Sequence, residues 1–285
     1  MLLLSGGIAK AETSWYCQDA AATPDVSTLH EIHWVDTELG RMKVVVVWPE
    51  SRDPDRPLDL AFFIHADSPR WDPVYQYELA RKLVALRPGT VAAAVLRPGY
   101  KDRCGDTSDG ERGLIMGDNY SSEVVAALGS VLATLERRIA PAETFVLGHS
   151  GGAALTALLV SRHPELYDRS VLVACPCDLP AWRNVMAELT GNTAWTEPMP
   201  GLSPLDEITA LDPSKPMHLF VGDDDVVTPP SLSETYLQKA RQAGKLVTLE
   251  RIPDAGHDMI IDDPEVFARI VASLDQKPAV DSAER

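Results

Sequence analysis

The stretch "TFVLGHSGGAALTALLVSRHP", residues 144–164, decides the fold of this chain. Residues 144–149 form an apolar run typical of a buried strand, and residues 151–163 continue at once as a helix. Ser150 therefore lies at a sharp strand-to-helix turn in the pattern G-x-S-x-G, which presents a serine hydroxyl above a sheet at a helix N-terminus. A glycine-rich turn with an incidental serine is the alternative, so the rest of the sequence must decide whether Ser150 does chemistry.

The same alternation of strand and helix continues along the chain. Apolar runs typical of strands lie at 41–49, 58–67, 90–100, 170–176, 217–222 and 246–252. Helical periodicity lies at 74–89, 120–139, 231–244 and 264–274. Continuous apolar strands separated by helices predict an α/β fold, with a mostly parallel, doubly wound sheet covered on both faces.

The domain organisation follows from one change in this pattern. Residues 178–212 are rich in Pro, Trp and Gly and show weak periodicity, which indicates a short lid-like insertion. No internal repeat or linker divides the remainder. We therefore expect a single domain over residues 12–275, with the insertion at 178–212 and a flexible tail at 276–285.

Two polar loops supply partners for the serine. "GDDDVVTPP" follows the strand at 217–222, and "PDAGHDM" follows the strand at 246–252. Ligands of open parallel sheets bind at the carboxyl ends of the strands, where both loops and the serine are expected to meet. A weak serine nucleophile needs a base, and the base needs an orienting acid. Ser150, Asp225 and His257 are therefore the predicted catalytic triad.

Over residues 40–275 the sequence resembles the α/β-hydrolase superfamily, in particular its serine esterases, dienelactone hydrolases and prolyl-oligopeptidase-like members. The serine turn, "GDDDVVTP" and "AGHDM" carry this resemblance. The acid of that family often precedes a proline by four residues, as Asp225 precedes Pro229, which favours Asp225 over Asp223 and Asp224. The resemblance implies a small-molecule acyl substrate, an acyl-enzyme, and no metal or organic cofactor. A calcium site formed by the three aspartates is a more remote alternative.

The resemblance also implies two donors for the oxyanion that forms on attack. One is the backbone N–H of Gly151, and the other comes from the loop after the strand at 58–64. That loop often reads His-Gly in the family but reads "HAD" here, which leaves the second donor open between Ala66 and Asp67. A carboxylate at Asp67 would hinder catalysis unless it pairs with a cation, and Arg70 or a substrate ammonium are the expected partners.

The substrate is less well defined by the sequence. Trp182, Trp195 and Tyr100 are the predicted pocket residues, although the two tryptophans could instead anchor the insertion to the core. "LSPLDEI" at 202–208 is similar to prolyl-oligopeptidase-like enzymes, but residues 1–40 are too few for the propeller of those enzymes. We expect a carboxylic ester hydrolase. A serine peptidase of that type and a non-catalytic binding protein with the same fold are the alternatives.

Composition excludes other classes of protein. The chain has 26 basic and 42 acidic residues, a formal charge of −16, which repels phosphate backbones and argues against nucleic-acid binding. No apolar run approaches the roughly 18 residues of a membrane span. Residues 2–8 are apolar and precede Ala9-Lys10-Ala11, so residues 1–11 are interpreted as a signal-peptide remnant. The protein is expected in the periplasm or outside the cell, with the cytoplasm as the alternative.

The four cysteines are consistent with export. If the protein is exported, a bridge between Cys104 and Cys177, or Cys175, is expected. Ordinary buried thiols are the alternative. The C-x-C pattern has no His or Cys pair at zinc-ligand spacing, so no metal site is predicted.

Overall fold

The structure is a computed structural model that describes residues 14–18, 30–50, 55–68, 70–113, 115–117, 119–197 and 200–276. The predicted signal-peptide remnant and residues 277–285 of the predicted tail lie outside the described residues.

An eight-stranded sheet organises the described residues, in the order β1-β2-β4-β3-β5-β6-β7-β8. The strands are β1 His30–Thr37, β2 Gly40–Val47, β3 Asp59–Ile64, β4 Thr90–Val95, β5 Thr144–His149, β6 Arg169–Val173, β7 Met217–Gly222 and β8 Val247–Ile252. Strands β1 and β2 pair antiparallel, as do β2 and β4, whereas every pair from β4 to β8 is parallel. The prediction of a mostly parallel α/β sheet is therefore confirmed.

Helices connect the parallel strands. They are α1 Tyr75–Leu86, α2 Ser122–Ile139, α3 Gly151–Arg162, α4 Leu179–Thr190, α5 Pro230–Gln242, α6 Met259–Asp262 and α7 Pro264–Ser273. Short 3-10 turns lie at Trp15–Cys17, Pro164–Leu166, Thr193–Thr196 and Pro204–Ala210. Within the part of the chain that the structure describes, none of these helices is long and apolar enough to cross a bilayer.

The core has two layers because successive residues of a strand point to opposite faces of a sheet. In β2, Val44 and Val46 pack into the cluster that includes the apolar faces of α2, α3 and α5. Val45 and Val47 pack into the cluster on the other face, with α1 and α7. Burial on both faces explains why the inner strands are continuous apolar runs.

Two elements differ from the sequence expectations. Strand β1 was not predicted, because its sequence "HEIHWVDT" mixes charged and apolar residues at the edge of the sheet. The segment 178–212 contains a regular helix, α4, despite its weak periodicity. Asp178 starts it by accepting a hydrogen bond from the Ala181 N–H, and Gly191 ends it with a φ of 66°.

The disulfide pattern corrects a prediction. Cys17 bonds to Cys104 and Cys175 bonds to Cys177, so the expected bridge between Cys104 and Cys177 is wrong. Strands β3 and β5 lie between β4, which precedes Cys104, and β6, which precedes Cys177. Three steps of about 4.8 Å separate β4 from β6, whereas bridged Cα atoms lie within about 7 Å of each other.

A buried ion pair also holds the Cys104 loop away from β6. Lys43 of β2 donates to Asp102 and to Asp106, each at 2.7 Å, and both Lys43 and Asp102 are fully buried. The loop therefore extends toward β2, where it meets the segment that carries Cys17.

Replacing Cys104 with serine is expected to lower the free energy of unfolding by about 2–4 kcal/mol, since the bridge joins residues 87 positions apart and restricts the unfolded chain. Urea denaturation of the wild type and the variant measures the difference. Peptide mapping without reductant should recover the Cys17 peptide linked to the Cys104 peptide. Equal urea midpoints, or a Cys104–Cys177 peptide, would contradict this pairing.

Candidate active site

Ser150 lies between β5 and α3 in a backbone conformation that few L-residues adopt. Its φ is 53° and its ψ is −122°. Its N–H donates to the Val173 carbonyl of β6 at 2.8 Å, and its own carbonyl accepts from Ala153 in the first turn of α3. A strained serine held this firmly by its neighbours is typical of a functional site.

The glycines around Ser150 allow neighbouring backbone to approach closely. A Cβ on Gly152 would lie 2.1 Å from the Ile64 carbonyl oxygen of β3, and one on Gly148 would lie 2.2 Å from the Gly152 carbonyl oxygen. Backbone atoms cannot move aside as a flexible side chain can. The turn that presents Ser150 therefore requires glycine at both positions.

Replacing Gly152 with alanine is expected to destabilise the protein by about 1–3 kcal/mol, because the new methyl group would displace β3. Gly256→Ala is the matched control, since a Cβ there meets no atom within 4 Å. Thermal denaturation of both variants measures the effect. Equal melting temperatures for the two variants would contradict the close approach of β3.

A third glycine, Gly222, allows the loops that carry Asp225 and His257 to approach each other closely. A Cβ on Gly222, at the end of β7, would lie 2.1 Å from the Ala255 carbonyl oxygen. His257 Nδ1 lies 2.9 Å from Asp225 Oδ2, and His257 Nε2 lies 2.9 Å from Ser150 Oγ. The structure thus brings together the three residues predicted as a triad.

Asp225 is held as an ionised acceptor. Burial by itself would raise its pKa, but the hydrogen bond and charge of His257, together with donors from Thr228, lower the pKa. The Thr228 hydroxyl donates to Oδ2 at 2.7 Å, and the N–H groups of Val227 and Thr228 donate to Oδ1. The Asp225 carboxylate accepts the Nδ1 proton of His257, which leaves the Nε2 lone pair facing Ser150. Thr228 was not predicted, although it lies in the quoted "GDDDVVTPP" loop.

A buried chain of hydrogen bonds links the Ala66 loop to the His257 loop. The Ala66 N–H donates to the Tyr75 hydroxyl at 2.7 Å, and this hydroxyl lies 3.1 Å from His149 Nδ1. His149 Nε2 lies 3.0 Å from the His257 carbonyl oxygen, which can only accept. Nε2 of His149 therefore carries the proton, and Nδ1 accepts from Tyr75. Neither His149 nor Tyr75 is among the site residues predicted from the sequence.

His149 stays neutral in the folded protein. Burial lowers its pKa to about 3, and the nearby His257 adds to the effect. The unfolded side chain has a pKa of about 6.5, so between these values the unfolded chain binds a proton that the folded protein does not. The contact of 3.9 Å between His149 and Asp258 is thus not an ion pair at neutral pH.

This difference predicts a stability loss in acid. The free energy of unfolding should fall by up to about 1.4 kcal/mol per pH unit below pH 6.5 because of His149 alone. The stability difference between wild type and His149→Gln should shift by about 2–3 kcal/mol in favour of the variant between pH 7 and pH 4.5. Urea denaturation across this range measures it, with His33→Gln on β1 as control. A pH-independent difference would contradict a neutral His149.

The expected oxyanion residues adjoin the serine. Gly151 follows Ser150 directly, and a Cβ on it would lie 2.5 Å from the Asp67 carboxyl carbon. Asp67 therefore packs against the turn that carries Ser150. Its Oδ1 lies 2.8 Å from Arg97 Nη1, and its Oδ2 accepts from the Gly117 N–H and the Tyr120 hydroxyl.

The charge of Asp67 is balanced by Arg97 and not by Arg70, the partner that the sequence suggested. Arg97 is fully buried, and its Nη1 also donates to the His65 carbonyl at 3.1 Å. Burial by itself would lower the pKa of Arg97, but the facing Tyr100, Asp67 and Tyr120 raise it. A signal for Arg97 existed in the sequence, because it comes two residues after the end of β4, where ligand-binding residues of such sheets collect.

A cavity of about 630 Å³ opens beside Asp67. Trp195 lines it, as predicted for a pocket residue, whereas Trp182 and Tyr100 are not among its described lining residues. Trp182 is buried and donates from Nε1 to the Val227 carbonyl at 2.9 Å. Tyr100 is also buried. Its ring packs edge-on against the ring of His65, and the guanidinium of Arg97 lies over it.

Among the residues that the structure describes, one group of side chains has ligand atoms close enough together for a metal ion. Atoms of His149, His257 and Asp258 lie within 4.8 Å of one another. Both ring nitrogens of His149 are engaged in the chain described above, so a metal would break that chain. Asp223, one of three aspartates considered for calcium, instead accepts from Arg251 at 2.6 Å, and Asp225 faces His257.

Comparison with known proteins places this site in a family. The sequence model of the prolyl oligopeptidase family matches residues 114–276, more than half of the chain, and this match includes Ser150, Asp225 and His257. A search of curated proteins returns no significant match.

Solved structures with similar folds are esterases and peptidases at low sequence identity. An acylaminoacyl peptidase in complex with a chloromethyl ketone is 12% identical, with a TM-score of 0.67 over 91% of this chain and 43% of its own. An esterase of Pyrococcus furiosus is 16% identical, with a TM-score of 0.68 over 88% of this chain and 91% of its own. Est1E from Butyrivibrio proteoclasticus, with bound ferulic acid, is 14% identical, with a TM-score of 0.64 over 85% of this chain and 97% of its own.

The extent of these matches differs. The chain spans less than half the length of the acylaminoacyl peptidase and most of the length of the two esterases. The family model and the eight-stranded, mostly parallel sheet agree. This chain belongs to the prolyl oligopeptidase family and has the α/β-hydrolase fold.

Proposed function

We propose that this chain hydrolyses carboxylic esters through an acyl-enzyme formed on Ser150. The observation that carries the proposal is the position of His257, which lies 2.9 Å from Ser150 Oγ through one ring nitrogen and 2.9 Å from Asp225 through the other. This geometry provides a nucleophile, a general base and an orienting acid within hydrogen-bond reach.

Each residue has a defined role in this reaction. Ser150 Oγ attacks the ester carbonyl carbon while its proton passes to His257 Nε2. The imidazolium then protonates the departing alcohol as the acyl–oxygen bond breaks. Water attacks the acyl-enzyme with His257 again as the base, and this step releases the acid and restores Ser150. Asp225 holds the tautomer of His257 and stabilises its charged form.

The oxyanion would be held by the backbone N–H groups of Gly151 and Asp67. We assign the second donor to Asp67, because the Ala66 N–H already donates to Tyr75 and the Ser68 N–H donates to the Tyr100 hydroxyl at 3.3 Å. The Asp67 carboxylate beside this position would oppose the oxyanion charge, and its contact with Arg97 offsets that charge.

An ester substrate is supported by esterases of nearly the same extent as this chain among its structural neighbours. Peptide hydrolysis is the second candidate, supported by the matched family and by the acylaminoacyl peptidase neighbour. Both reactions use the same residues. Initial rates on matched ester and anilide substrates with one acyl group separate the two candidates.

A fluorophosphonate probe tests the proposed chemistry. Folded wild-type protein should be labelled, and peptide mass mapping should place the adduct on Ser150. Unfolded wild-type protein serves as the control, since labelling requires the assembled His257 and Asp225. Folded protein that resists the probe would overturn serine catalysis and would favour a non-catalytic binding protein.

We also propose that the protein is exported. The two disulfides support this proposal, since such bonds persist in oxidising compartments. Cell fractionation of the full chain with a C-terminal tag tests it, and disulfide-bonded protein should appear in the periplasm or the medium. Tagged protein retained in the cytosol with free thiols would contradict export.

A further inference from the structure

Asp67 links the cavity beside it to the turn that carries Ser150. Asp67 lines the cavity, and its carboxyl carbon lies 2.5 Å from the position that a Cβ on Gly151 would take. The other walls come from the loop around Trp71, the loop around Met116, and the turn after α4 that carries Trp195. The cavity therefore lies next to the turn that carries Ser150, with Asp67 between them.

Aromatic and apolar side chains form the binding surface of this cavity. Trp195 is fixed in place, because its ring packs edge-on against Trp182 at 5.5 Å and Arg183 covers it at 5.4 Å. Trp71 stands at the mouth with 67% of its surface exposed. Met116 adds a polarizable apolar side chain to the lining.

Three polar residues of the lining already have hydrogen-bond partners, and Arg70, which also lines the cavity, is exposed to solvent. The Asp67 carboxylate accepts from Arg97, Gly117 and Tyr120. The Thr190 hydroxyl donates to the Met186 carbonyl at 2.6 Å, and Asn192 Oδ1 accepts from the Ala194 N–H at 3.0 Å. A flat apolar group gains contact with two indoles here without having to satisfy these polar atoms.

The position of the cavity indicates which part of an ester it receives. The leaving alcohol must lie near His257, because His257 delivers its proton. Among the described lining residues of this cavity, none belongs to the His257 loop. The cavity therefore lies away from the position that the leaving alcohol would take, on the Asp67 side of Ser150.

We propose that this cavity binds the acyl group of the substrate and selects an aromatic acyl group, which stacks between Trp71 and Trp195. This inference rests on the proposed ester hydrolysis at Ser150. The volume of the cavity, about 630 Å³, is far larger than an acetyl group needs and lies within the usual range of ligand sites.

Isomeric esters test the proposal with the wild-type full chain. Ethyl hydrocinnamate carries the phenyl ring on the acyl side, and phenylpropyl acetate carries it on the alcohol side. Ethyl octanoate offers an aliphatic acyl chain of similar length. We expect kcat/KM for ethyl hydrocinnamate to exceed that for either other ester by about tenfold, in proportion to the gain from aromatic contact.

Two variants test whether Trp71 causes the preference for an aromatic acyl group. Trp71→Ala should reduce the ratio of kcat/KM for ethyl hydrocinnamate to that for phenylpropyl acetate by about tenfold. Trp34→Ala is the matched control, because Trp34 is also exposed but lies on β1. That control should leave both values unchanged.

The outcomes separate this inference from the function it rests on. Wild type that prefers phenylpropyl acetate or ethyl octanoate, or a ratio that Trp71→Ala leaves intact, would overturn the aromatic acyl site while ester hydrolysis stands. Protein that hydrolyses none of the three esters and is not labelled by the fluorophosphonate probe would overturn both.

Discussion

Replacing Ser150 with alanine should lower kcat for p-nitrophenyl acetate by about 10⁵- to 10⁶-fold, since a triad whose nucleophile is missing retains only binding and oxyanion stabilisation. The folded structure should persist, because removing the hydroxyl leaves the backbone hydrogen bonds of this turn to Val173 and Ala153 in place. Burst and steady-state kinetics on purified protein measure the loss, and circular dichroism checks the fold.

Two further variants provide a comparison and a control for this result. Asp225→Asn should lower kcat by about 10⁴-fold, because an amide no longer holds the required tautomer of His257. Ser130→Ala is the serine control, since the Ser130 hydroxyl on α2 contacts Glu38 and not the site. A Ser150→Ala variant that keeps more than a hundredth of the activity would remove Ser150 from the mechanism.

Replacing Arg97 with methionine should destabilise the protein by about 3–5 kcal/mol and also reduce turnover. The substitution leaves the nearly buried Asp67 carboxylate without its opposite charge, and removing one partner of a buried ion pair has an effect of this size. The same carboxylate packs against Gly151, where an uncompensated negative charge opposes the oxyanion. Urea denaturation and kcat measured on the same preparations test both effects.

A double-mutant cycle separates the charge from the packing. Asp67→Asn keeps an acceptor for Gly117 and Tyr120 and removes the charge, so the double variant Asp67→Asn/Arg97→Met should recover part of the stability lost in Arg97→Met alone. The exposed pair of Arg81 and Glu78 on α1 is the control, where Arg81→Met should change stability by less than about 1 kcal/mol. Strictly additive effects at Asp67 and Arg97 would contradict a direct pair.

Some features of the site were local in the sequence. The turn around Ser150 could be predicted because a strand, a glycine-flanked serine and a helix follow one another within a few residues. Asp225 and His257 could be predicted because each lies in a polar loop directly after a strand. Parallel strands bring such loops to one edge of the sheet whatever the details of packing.

Other features depend on strands that are distant in sequence. Arg97 rather than Arg70 pairs with Asp67 because β3 and β4 are neighbours, with Ile64 opposite Val95 in register. The two side chains follow those paired residues at the same edge of the sheet. Arg70 is nearer in the chain, but nearness along the chain does not determine which charge is buried beside Asp67.

By itself, the sequence determined the α/β sheet and the placement of Ser150, Asp225 and His257 at one edge of it, because periodicity and strand-end loops are properties of neighbouring residues. Only the tertiary structure decided the disulfide partners, the counter-ion of Asp67, and the chain through Tyr75 and His149. Apart from the bridge between Cys175 and Cys177, each of these contacts joins residues of different elements or loops. The order of strands in the sheet, which is not their order in the chain, determines which of these residues come into contact.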